Sequence, residues 1–150
     1  MVDRKKPRPR KFIGSDLVIA SHNLGKVAEV ESLMSSLVAN IYSAGELGLI
    51  EPDETGLTFV ANAQLKAVNA AKKTGLPALG DDSGLVVAAL NGAPGIYSAR
   101  WAEGSKDFDV AMKKIERELG GTADRRAHFT CALSLVWPDG HSETVEGNVR

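Results

Sequence analysis

Two segments of this 150-residue chain combine residue types suited to a charged substrate. The first is Ser21-His22-Asn23-Leu24-Gly25-Lys26, placed where an apolar run gives way to helical spacing. Such a junction offers backbone N–H groups and the positive end of a helix; Gly25 permits close approach and Lys26 adds charge, so a phosphate suits it. Its spacing matches neither a Walker A loop nor a dinucleotide fingerprint, and a plain capped turn with a solvated Lys26 explains it equally well. The second is Asp81-Asp82-Ser83-Gly84, read as a glycine-flanked loop between two strands. Adjacent carboxylates repel each other and call for a cation or for hydrogen-bond donors. Magnesium is the natural ion, because it takes few carboxylates, keeps its waters and binds polyphosphate oxygens. One aspartate would then hold metal while the other orients or deprotonates water, with Ser83 on a phosphate. An acidic turn with Asp82 capping nearby amides stands beside this reading at even weight.

Glu51, Asp53 and Glu54 form another acidic cluster ahead of a helix, where negative charge is already favoured. If the fold brings Glu54 beside Asp81 and Asp82, the three carboxylates are too costly to assemble without a metal. Sequence does not show that convergence. Other candidates read as structural: His128 and His141 as packed or solvated, Tyr97 and Trp101 as packing residues, Phe108 and Met112 as core. Cys131 falls in the alternation Phe129, Cys131, Leu133, Leu135, Trp137 and is expected to face inward as a small hydrophobe.

The elements that must position these residues follow from periodicity. Leu17 to Ala20 predicts a buried strand; Val27, Val30, Leu33, Met34 and Leu37 predict a helix from Lys26. Ala39 to Ser43 is a short strand, and Thr58 caps a helix with the stripe Phe59, Ala63, Ala67, Ala70, Ala71, ended by Gly75 and Pro77. Strands follow at Ala78-Leu79 and Leu85 to Leu90, then a helix from about Asp107 to Leu119 ended by Gly120-Gly121. From Ala127 a strand turns at Pro138-Asp139-Gly140 and returns over Ser142 to Val149. Alternating strands and helices with a late hairpin give an α/β fold, a mixed sheet flanked by helices.

Composition bounds the function classes. The chain is 43% hydrophobic, and eighteen basic residues nearly balance nineteen acidic ones, which argues against a surface built to neutralise nucleic acid. Residues 1–15 read as a basic disordered arm, more simply solvated than RNA-binding, and 16–150 as one domain. With a single cysteine and no apolar run of membrane-spanning length, the cytoplasm is the default and no membrane partner is expected.

Taken together, Ala20 to Lys26, Glu54-Thr55-Gly56-Leu57-Thr58-Phe59 with Asn62-Ala63, Asp81 to Leu85, and Gly92 to Arg100 resemble the inosine-triphosphatase, or non-canonical purine NTP pyrophosphatase, family. Four motifs in order are far more specific than one glycine pattern. The resemblance runs from Leu17 to Arg150. It implies that family's fold and magnesium-dependent hydrolysis of ITP, dITP or XTP to the monophosphate and pyrophosphate by a homodimer. Carried over by position, it implies that Ser21, His22, Asn23, Leu24, Gly25 and Lys26 hold the triphosphate and Ser83 contacts substrate. Asp82 would be the general base, and Glu54, Asp81 and Asp82 would place the metal. The family's later Phe-Gly-Tyr-Asp-Pro, lysine and Ser-His-Arg motifs do not occur before Arg150. The expectation is a chain truncated at its C-terminus, and the alternative is a catalytically incomplete nucleotide-binding or dimerising fragment.

Overall fold

In the computed structural model, residues 8–102 and 108–150 are described. The first seven residues of the basic arm and the expected helix start at Asp107 lie outside them. Strand β1 spans Asp16–Ile19, helix α1 Leu24–Met34 and strand β2 Asn40–Ser43. Helix α2, Phe59–Thr74, begins where the Thr58 hydroxyl accepts from the Ala61 N–H, and it ends at Gly75 with φ +69°. That left-handed conformation favours glycine. Thr58→Ala is expected to cost about 1 kcal/mol in urea denaturation, the usual worth of such a cap. Strand β3 runs Ala78–Val87, followed by short helical turns that include α3, Ser98–Trp101. Helix α4, Asp109–Leu119, leads into the antiparallel hairpin of β4, Ala127–Val136, and β5, Ser142–Val149.

The five strands lie in the order β2-β1-β3-β4-β5. The β2-β1-β3 pairings are parallel, while β3-β4 and β4-β5 are antiparallel, so the sheet is mixed, as expected. Helix α1 joins β1 to β2, whereas α2 carries the chain from β2 across to the far side of β1. With right-handed crossovers the two helices fall on opposite faces, and a crevice opens where the strand order reverses. Two details deepen that crevice. Strand β1 ends at Ile19, and its register with β3 is limited to Val18↔Ala78 and Ile19↔Leu79. From Gly80 onward β3 therefore runs past the end of its parallel neighbour.

The α2 face of the sheet is packed with small residues. Val18, Ala20, Ala78 and Val136 meet Ala67, Ala70 and Ala71 in one buried cluster. A methyl group on Gly80 would lie 2.2 Å from the Ala63 carbonyl oxygen, so helix and strand backbones approach too closely for any side chain. Packing overturns several expectations. Asp81 to Gly84 is not a loop between strands but the middle of continuous β3, and the strand stops at Val87 with Ala88–Leu90 forming a single 3-10 turn. On β4 the buried residues are Thr130, Ala132, Ser134 and Val136, because only small side chains fit beneath α2; Cys131 is exposed and Phe129 is 48% exposed. The buried hydroxyls are satisfied, Thr130 donating to Asn148 Oδ1 at 2.7 Å and Ser134 pairing with Thr144 at 2.9 Å. Finally, Phe108 and Met112 are exposed, because α4 seats Ile115 and Leu119 against Val87, Leu85 and Trp101. Helix α1 ends at Met34, short of the expected Leu37; within it only Val27 is buried and Leu33 faces solvent, as does Leu37 beyond its end.

Residues 8–14 form no helix or strand, yet Arg10 is held to the hairpin. Its guanidinium lies 2.9 Å from Asp139 and 5.0 Å over the Trp137 ring, and its backbone N–H donates to Glu143 at 2.8 Å.

Candidate active site

The crevice beyond β1 is a pocket whose polar lining comes from four separate segments, with Ile96 and Ala99 adding apolar wall. Ser21, His22, Asn23 and Lys26 form one wall; Glu51 and Glu54 come from the loop before α2, Lys66 and Asn69 from α2, and Asp81, Asp82 and Ser83 from β3. Successive residues of a strand point to opposite faces. Asp81 accordingly meets α1, where Lys26 Nζ donates to its Oδ2 at 2.6 Å. Asp82 meets α2, with Lys66 Nζ at 3.9 Å. Both faces are reachable from one pocket because β1 no longer covers this edge of β3. The strand thus separates two carboxylates that a loop would leave repelling each other, and gives each its own lysine.

The α2 side holds the more buried chemistry. Lys66 is hydrogen-bonded to Glu54 at 2.8 Å and donates to the Asp81 carbonyl at 3.0 Å. Burial pulls its pKa down, but the Glu54 hydrogen bond and the charges of Glu54, Asp82 and Asp81 outweigh burial and raise it. Asp82 is only 6% exposed, and its Oδ2 has no hydrogen-bond partner. Its pKa is raised, chiefly by desolvation and further by Glu54, against the opposing pull of Lys66, Asn62 and Lys26. Glu54 reaches the site because its loop is clamped to α2: buried Asn62 accepts from the Gly56 N–H at 2.8 Å. A methyl on Gly56 would sit 2.5 Å from Asn62 Oδ1, so the clamp needs glycine there.

At the other wall, Asn23 Oδ1 accepts from the N–H groups of Gly25 and Lys26 at 3.0 and 3.2 Å, and Ser21 Oγ accepts from Asn23. The cap already satisfies two of the helix N–H groups expected to be open to an anion. What remains for a phosphate is the Lys26 ammonium and the polar rim of Ser21, His22 and Asn23. Leu24 and Gly25 do not line the pocket, and Leu24 is 77% exposed.

A sequence model of the Ham1 family matches residues 17–150. The chain belongs to the Ham1 family. This bears out the resemblance read from the ordered motifs. Among its relatives, a dITP/XTP pyrophosphatase of Rhodospirillum centenum is 61% identical over 95% of this chain and 71% of its own length. One of Zymomonas mobilis is 58% identical over 93% of this chain and 68% of its own. The HAM1 protein of Coxiella burnetii superposes with a TM-score of 0.81 at 39% identity, over 89% of this chain and 70% of that one. The Staphylococcus aureus Ham1 protein gives 0.78, also at 39% identity, over 89% and 69%.

In this Ham1 chain Glu54, Asp81 and Asp82 do share one pocket. They do not close on a point: among the described residues, no three His, Cys, Asp or Glu side chains are placed to hold a metal ion. Lys66 stands between Glu54 and Asp82, and Asp81 turns to the other face. The donors nevertheless fit a hard divalent cation in kind, being carboxylate oxygens with one buried and unpartnered. Lys66 and Asn69 were not among the sequence candidates, and Asn62 entered only as part of a motif. The spacing contained a usable signal. Asn62, Lys66 and Asn69 form a polar row beside the alanine row Ala63, Ala67 and Ala70, and a lysine flanked by buried alanines needs partners.

Proposed function

We propose that the chain hydrolyses non-canonical purine nucleoside triphosphates (ITP, dITP, XTP) to the monophosphate and pyrophosphate, with magnesium. The observation that carries this is the buried Asp82 carboxylate, whose Oδ2 has no hydrogen-bond partner, in a pocket that also holds two lysines. The relatives named dITP/XTP pyrophosphatases support the substrate class. Water adds across the anhydride bond between the α- and β-phosphates. Its proton passes to Asp82, the P–O bond breaks, and pyrophosphate leaves. Desolvation suits Asp82 to this work by raising its basicity towards the operating pH. Lys26 and Ser83 hold phosphate oxygens, joined by Ser21, His22 and Asn23 at the rim. Glu54 and Asp81, with Asp82, would hold magnesium, which when bound supplies charge neutralisation and a more acidic water. Assembly as a homodimer and a place in the cytoplasm rest on the resemblance and on composition. Among the described residues no helix is long and apolar enough to cross a membrane.

Pyrophosphate release from ITP, measured beside ATP and GTP, tests the reading. Release of orthophosphate alone, or equal turnover of all three nucleotides, overturns the reaction or its selectivity. For Lys26→Ala we expect KM for ITP to rise about tenfold or more with a smaller change in kcat, as for a residue that binds ground and transition states alike.

A further inference from the structure

We propose that Lys66 is an internal counter-ion that holds Glu54 and Asp82 in the nucleotide-free protein and keeps a divalent cation out until a triphosphate takes the ammonium away. This rests on the function proposed above. An ammonium has three N–H donors, and that of Lys66 has two oxygens within hydrogen-bond distance, Glu54 Oε1 at 2.8 Å and the Asp81 carbonyl at 3.0 Å, with Asp82 Oδ1 in ion-pair range at 3.9 Å. Its side chain is 13% exposed against 37% for Lys26, so Lys66 is seated in the site while Lys26 stands at the rim. It occupies the space between the two carboxylates that would otherwise face a metal together. A dication brought within about 4 Å of that ammonium is weakened at least about tenfold by repulsion, even at the dielectric of water.

The arrangement has a built-in release. Asp82 is the less firmly held member, since its Oδ2 has no hydrogen-bond partner and its ion pair with Lys66 is 3.9 Å long. Lys66 lines the same pocket as Lys26, so a triphosphate bound there offers its ammonium oxygens richer in charge than Glu54. Once the ammonium turns to phosphate, Glu54 and Asp82 have lost their cation and accept a metal instead. Metal and nucleotide must then strengthen each other's binding, by linkage. The carboxylates acquire their ion only when there is substrate to act on.

The test is Mn2+ binding, followed by water-proton relaxation, in nucleotide-free wild type, Lys66→Met and Lys66→Arg. We expect Lys66→Met to bind Mn2+ at least about tenfold more tightly than wild type, and the charge-keeping Lys66→Arg to match wild type. Equal or weaker binding by Lys66→Met overturns the counter-ion role, as does micromolar Mn2+ binding by the nucleotide-free wild type. The wild-type measurement stands even if Lys66→Met fails to fold by circular dichroism. Pyrophosphate release from ITP by the wild type is scored separately. Release with unchanged Mn2+ affinity in Lys66→Met sinks only the counter-ion role, whereas no release with the affinity gain intact sinks the reaction and leaves Lys66 as the site's cation.

Discussion

Asp82→Asn is expected to lower kcat for ITP hydrolysis about a thousandfold while leaving the fold intact, since a positioned general base contributes about 10²–10⁴-fold. Single-turnover pyrophosphate release, with far-UV circular dichroism as the control, measures both. The same substitution should not lower the melting temperature. Folding raises the Asp82 pKa, chiefly by desolvation. Its stabilising contribution is therefore present below the unfolded pKa and lost as pH rises through the folded one. At neutral pH the ionised carboxylate is a cost that the asparagine amide removes. Activity runs the opposite way: kcat/KM should climb with pH through an acidic limb displaced above the ordinary carboxylate range, and that limb should vanish in Asp82→Asn. A melting temperature lowered by several degrees would show Asp82 to be structural instead.

Gly80→Ala should be the most damaging small substitution in the sheet. The added methyl would meet the Ala63 carbonyl oxygen at 2.2 Å, the Ala67 nitrogen at 2.9 Å and the Ala67 methyl at 3.1 Å. Two of these are backbone atoms in the middle of α2, so the helix as a whole must move off the strand. Overpacking of this kind costs about 3 kcal/mol, or about 10 °C in melting temperature for a domain of this size. Because α2 also carries Lys66 and Asn62, activity at a permissive temperature should fall with it. Thermal denaturation checks the first effect and pyrophosphate release the second; an unchanged melting temperature would mean that helix and strand are not in direct backbone contact.

Two glycines explain why β3 is continuous where a loop is expected. Gly80, Ser83 and Gly84 look like turn chemistry around an acidic pair, and that suggested a loop. In β3 the glycines face helix and turn: Gly80 lies against α2, and a methyl on Gly84 would lie 2.3 Å from the Gly95 carbonyl oxygen. Glycine in a strand then signals close approach of another backbone. On β4 hydrophobicity points to Phe129, Cys131 and Leu133 as the inner face. The alanines of α2 instead select the smaller Ala132, Ser134 and Thr130.

Local chemistry was legible because its causes are local. The Thr58 cap, the left-handed Gly75, the helical row of alanines, the hairpin turn and the ordered motifs of the Ham1 family all depend on residues within a few positions of one another. The site is different. Glu54, Lys66 and Asp82 come from a loop, a helix and a strand, and Lys26 reaches Asp81 across 55 positions. Their meeting depends on β3 pairing with β1 on the side away from β2, and on β1 ending at Ile19 so that both faces of β3 open into one crevice. No spacing within the chain encodes that strand order. The sequence by itself determined which carboxylates and lysines were present and the family they belong to; the tertiary structure decided that Asp81 and Asp82 point apart, each towards its own lysine, because neighbours on a strand must.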